Sequence, residues 1–150
     1  MYGLLAVAVV LVLAGRDWSS RADAVDVKHL AGKTGDGYRI TLGVVDGQLQ
    51  NFDTVVRTDC TGGRTWKTRW YPADGNPVPF HQDGGHIHVV ERTRRPELDP
   101  PFQSAFTMDG SLADDGAVAR GRIDAHALWG RGDDSVACHG TTTFHATARD

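Results

Sequence analysis

The sequence predicts an all-β fold, a single antiparallel β-barrel or β-sandwich of about seven to eight strands with one disulfide. Three observations predict it. From Tyr38 onward apolar residues recur at every second position, the period of a half-buried strand. The runs are separated by turn chemistry such as Asp46-Gly47 and Asp114-Asp115-Gly116. Cys60 and Cys138 both stand on the apolar parity of their runs.

The chain opens with an uncharged apolar run of eleven residues, Leu4 to Ala14. As a helix such a run rises only about 16 Å, short of the roughly 30 Å of a bilayer core. It suits a signal peptide, with Ala22-Asp23-Ala24 as the small-x-small cleavage site. Residues 1–24 are therefore read as a leader and the mature chain as secreted or extracytoplasmic. A cut after Ala14 or Gly15 and an uncleaved anchor are the alternatives. Arg16 occupies the place of a lipidated cysteine, which excludes a lipoprotein. No integral membrane segment is expected after leader removal.

Residues 25–37 read as a linker or a short first strand, and 38–150 as the all-β domain. Tyr38, Ile40, Leu42 and Val44 alternate with polar residues, and Asp46-Gly47 supplies a tight hairpin turn. The returning strand starts with Leu49 in odd register but continues through Phe52, Val56 and Cys60 in even register. That switch predicts a β-bulge near Asn51. Trp66 and Trp70 share a face in the next strand, more in keeping with core than with a carbohydrate platform. Pro72 to Pro79 is a loop, because proline cannot serve an interior ladder.

Ile87 and Val89 mark the following strand, and Phe102, Phe106 and Met108 share a face in the one after it. Beyond Asp114-Asp115-Gly116, Ala119, Gly121, Ile123, Ala125 and Ala127 face inward. Those small residues predict tight curvature or a large neighbour such as a tryptophan. Gly130 to Asp134 turns the chain into the last strand, with Val136, Cys138, Phe144 and Ala146 inward.

A net charge of −3 without a basic block gives no reason to expect nucleic acid. Ser104, Ser111 and Ser135 lack a nucleophile elbow, and Gly35-Asp36-Gly37 and Gly62-Gly63 are turn glycines rather than a phosphate cradle. The acidic pairs Asp114-Asp115 and Asp133-Asp134 read as solvated turns. No catalytic residue and no cofactor are assigned. In an exported chain two inward cysteines are expected to pair, Cys60 with Cys138, the alternative being two buried free thiols.

Several stretches together carry a resemblance. They are Thr58-Asp59-Cys60, Pro77-Val78-Pro79-Phe80 before Asp83-Gly84-Gly85, Phe106 to Leu112 with Ala119 to Ile123, and Cys138-His139-Gly140 with Phe144 and Ala146. Over roughly Tyr38 to Ala148 the chain resembles small secreted two-cysteine β-domains of actinobacteria and related soil bacteria, a family of unknown function. The resemblance implies the fold and the disulfide and brings no activity.

Histidines offer the one chemistry. His86-Ile87-His88 presents two imidazoles on one face of a strand, with His81 and Asp83 just before them. Glu91 falls on the opposite face, so a cupin-like ligand set is not formed. Ile87 and Val89 are the better core residues, which turns His86 and His88 to solvent.

In the last hairpin, matching inward to inward residues about a turn near Gly132-Asp133 gives paired numbers summing to 265. Arg120 then opposes His145, Ala127 opposes Cys138, and His126 opposes His139 with Cβ atoms about 5 Å apart. His86, His88, His126 and His139 are the candidate ligands of a divalent metal, the alternative being unrelated surface histidines.

The leading functional reading is a noncatalytic, monomeric secreted domain binding an unknown protein or small molecule at or outside the cell envelope. A metal-dependent function of the outward histidines is the second. A barrel holding an apolar ligand against Trp66 and Trp70 is the third.

Overall fold

The computed structural model describes residues 25–72 and 85–149. Residues 1–24, read above as a leader, and most of the proline-rich loop, with His81 and Asp83, lie outside the described residues. Among the described residues eight strands form one antiparallel sheet: β1 Val27–Thr34, β2 Arg39–Val45, β3 Gln48–Cys60, β4 Arg64–Trp70, β5 His86–Arg95, β6 Phe102–Ala113, β7 Val118–Trp129 and β8 Val136–Ala148. Their order is β4-β3-β2-β1-β8-β7-β6-β5. A further pairing of β3 with β8 closes β1, β2, β3 and β8 into a four-stranded barrel. The all-β expectation holds, and β7, β6 and β5 continue the sheet beyond the closed ring.

The segment 25–37, ambiguous in sequence, contains a full strand, Val27–Thr34. β1 joins β2 to β8 and completes the ring. Its period was weak because Gly32 occupies an inward position between Leu30 and Thr34. A Cβ at Gly32 would lie 1.8 Å from the His145 carbonyl oxygen, so only glycine lets β1 come this close to β8.

The β2–β3 turn is built by Asp46 at φ 49° and Gly47 at φ 74°, the left-handed pair that matches the twist of a hairpin. The expected bulge is present. Asn51 opposes Gly43 and Leu49 opposes Val44, which leaves Gln50 as the extra residue.

Inward residues of every strand fill the interior, among them Ile40, Leu42, Val56, Val89, Met108 and Ile123. Phe106 lies at the centre. Phe52 stacks on it at 5.1 Å between ring centroids, and Trp70 also stacks on it at 5.1 Å. One expectation needs correction. Trp66 shares parity with Trp70 but is 41% exposed, because β4 is an edge strand and its far end overhangs the core. Its ring leans on Trp129, which in turn meets Phe102.

The large neighbour expected beside the small residues on β7 is present, and it is Phe144. A Cβ at Gly121 would meet the Phe144 ring at 2.8 Å and the Asp109 carbonyl at 2.1 Å. Cys60 and Cys138 are bonded across the β3–β8 seam, as expected. Among the described residues no helix is long and apolar enough to cross a membrane.

Candidate functional site

β7 and β8 are paired over their whole length with partner numbers summing to 265, so His126 opposes His139 and Asp124 opposes Thr141. Side chains two apart on a strand share a face. These four therefore project from the outer surface of one hairpin. The imidazole rings of His126 and His139 are stacked, with centroids 4.3 Å apart and planes 18° apart.

Both rings turn the same nitrogen to one carboxylate. His126 Nε2 lies 2.5 Å from Asp124 Oδ1, and His139 Nε2 lies 3.2 Å from Asp124 Oδ2. The Thr141 hydroxyl donates to Asp124 Oδ2 at 2.9 Å and stands 3.4 Å from His139 Nε2. Partial burial pushes the Asp124 carboxyl up. Hydrogen bonds from His139 and Thr141 and the charges of the two imidazoles outweigh it and hold the group below its ordinary value.

The ligand atoms of Asp124, His126 and His139 all lie within 4.8 Å of one another, the only such set of three among the described residues. His86 and His88 are exposed on the outer face of β5, on the side expected of them, but they do not join this set. His88 Nδ1 instead lies 2.5 Å from Asp109 Oδ1 on β6. The register carries His88 through Asp109 to Arg122, four residues and so about 13 Å along β7 from His126. Two of the four candidate ligands thus converge, and two stand apart.

The sequence reading missed Asp124 and Thr141. Both were legible in the register that paired the histidines, since each lies two residues from a histidine on the same face. It also missed the groove beside them. An open groove of about 740 Å³ crosses the outer surface of β3, β8, β7, β6 and β5 at the disulfide end of the sheet. One cross-strand row along it reads Asp59, His139, His126, Ala105, Arg92. The next outward row reads Thr61, Ala137, Leu128, Gln103, Arg94. Ala105 is the small residue between two long ones, and the trough forms there.

No protein-family model matches the chain, and a search of curated proteins found no match.

Proposed function

We propose that this chain is a secreted, noncatalytic binding domain whose β7–β8 face seats a divalent transition metal between Asp124, His126 and His139. The observation that carries the reading is the convergence of both Nε2 atoms on a single carboxylate. Zinc takes imidazole nitrogen at about 2.0–2.1 Å and carboxylate oxygen at about 2.0–2.2 Å. The donor atoms already lie within 4.8 Å of one another, all on side chains of a single hairpin.

Two nitrogens and one oxygen suit zinc or copper(II) rather than calcium or magnesium. Thr141 plays the part of an outer partner, since its hydroxyl fixes the rotation of the Asp124 carboxylate. Residence outside the cytoplasm is supported by the apolar leader and by a disulfide, a bond that persists in oxidising compartments. The likeness to secreted two-cysteine domains points the same way.

Calorimetric titration of untagged protein with zinc and with copper(II) chloride tests the reading. A single ion per chain should bind. His126→Ala and His139→Ala should each abolish measurable uptake, and both residues are exposed, so the fold survives the change. Thr141→Val should weaken binding about tenfold or more. Equal uptake by the natural protein and by the double His126→Ala, His139→Ala variant would overturn the proposal.

A further inference from the structure

The groove next to the histidine pair is distinct from the metal seat in its chemistry. Its floor is mainly apolar: Ala105, Leu128 and Ala137 line it beside the bonded Cys60 and Cys138, with Gln103 between Leu128 and Arg94 as a polar member. Its volume of about 740 Å³ falls within the 300–1,000 Å³ typical of small-molecule sites. One wall is cationic. Arg92 and Arg94 project from β5 on the outward parity, both exposed.

The charges around the groove are unevenly satisfied. Asp124 is engaged by His126, His139 and Thr141. Asp59 accepts from Thr65 at 3.2 Å and has Arg57 at 3.7 Å. Among the described residues Arg92 and Arg94 have no ion-pair or hydrogen-bond partner, and neither has Arg131 in a second hollow that shares Arg94, Gln103 and Leu128 with the first. The acids are spoken for and the guanidiniums are not, so the groove presents unspent positive charge beside a mainly apolar floor.

From this geometry we infer that the groove binds a small carboxylate-headed amphiphile, its apolar body on Ala105, Leu128 and Ala137 and its carboxylate on Arg92 and Arg94. A guanidinium offers two parallel N–H donors to a carboxylate, a match that an ammonium or a neutral head cannot provide. Arg92 and His126 are two strands apart, about 10 Å across the sheet, with Ala105 between them. Ala105, the small residue of that row, leaves room there for a short aliphatic chain. The site needs no metal, so it stands or falls separately from the histidine seat.

The test is a set of amide NMR titrations in the presence of EDTA, with octanoate, octanol and octylammonium as probes of equal chain length. Octanoate should shift the amides of Ala105, Leu128 and Ala137, and should bind about tenfold more tightly than octanol, the sum of two exposed guanidinium contacts. Octylammonium should bind more weakly than octanol. The double variant Arg92→Ala, Arg94→Ala should bring octanoate down to the level of octanol. The control Arg120→Ala, Arg122→Ala removes equal charge from the same sheet outside the groove and should leave binding unchanged. Equal affinity for octanoate and octanol, no effect of removing Arg92 and Arg94, or shifts mapping away from the groove would each overturn the inference. Because the metal is chelated throughout, such a failure leaves the zinc titration untouched.

Discussion

Cys60 on β3 stands directly opposite Cys138 on β8, in a seam where only two residue pairs are in register. Around it the Thr61 N–H donates to the Ala137 carbonyl at 2.8 Å, and the Ala137 N–H donates to the Thr61 hydroxyl at 3.2 Å. This short seam turns an open sheet into a closed ring, and the sulfurs lock it. The bond joins residues 78 apart, for which the loop-entropy account gives about 4.5 kcal/mol. The double variant Cys60→Ala, Cys138→Ala should lose stability of that order in urea unfolding followed by tryptophan fluorescence. A loss below about 1 kcal/mol would show that the seam's hydrogen bonds alone keep the ring shut.

Much of this arrangement was legible in the residues. Parity placed Cys60 and Cys138 on the same inner face. The switch from Leu49 to Phe52 revealed the bulge, and the β7–β8 register followed from one turn and two inward patterns. What escaped had physical causes. The period of β1 was broken by Gly32, a residue chosen for close approach rather than for burial. Trp66 was read inward from parity, which does not report that an edge strand can overhang its core. The groove depends on how five strands curve together, and a register gives neighbours, not curvature. Asp124 was overlooked although it lies on the face and in the register that brought His126 and His139 together.

Glu91 lies on the inner parity of β5, opposite Phe106, with no hydrogen bond or ion pair to any described residue. Burial pushes its carboxyl up from the ordinary value. The folded protein therefore holds the proton more tightly than the unfolded chain. Below about pH 4 both states are protonated and Glu91 is neutral in its effect. As pH rises the unfolded chain ionises first, and a penalty on the fold develops until the folded group ionises too. Glu91→Gln should thus raise the melting temperature at pH 7, with the gain closing as the pH falls toward 4. A gain of equal size at both ends of that range would assign the effect to packing rather than to charge.

Thr54 and Thr58 are 1% and 2% exposed on the inner face of β3, and neither hydroxyl has a hydrogen-bond partner among the described residues. A buried polar group left unpaired costs about 1–3 kcal/mol. Valine keeps the branched shape and removes that cost. Thr54→Val and Thr58→Val should each stabilise the protein by about 1 kcal/mol in urea unfolding. Destabilisation by either substitution would mean that its hydroxyl is satisfied, by an internal water for instance, and that the interior at that position is wet.

The contact of β1 with β8 rests on the absence of one carbon atom. A Cβ at Gly32 would sit 1.8 Å from the His145 carbonyl oxygen and 2.6 Å from the Ala146 Cα. Both obstacles are backbone, so no rotamer change relieves them, and the strands must part. Gly37 is the control, since its φ of 83° favours glycine while nothing lies within 4 Å of its missing Cβ. Gly37→Ala should cost about 1–2 kcal/mol for the left-handed conformation alone. Gly32→Ala should cost about 3 kcal/mol or more and should speed amide hydrogen exchange in β8 from Phe144 to Ala148, the stretch paired with β1. If the two variants were equally stable and β8 exchanged at its usual rate in both, the ring would have to close with looser β1–β8 packing than the register of Gly32 with Ala146 requires.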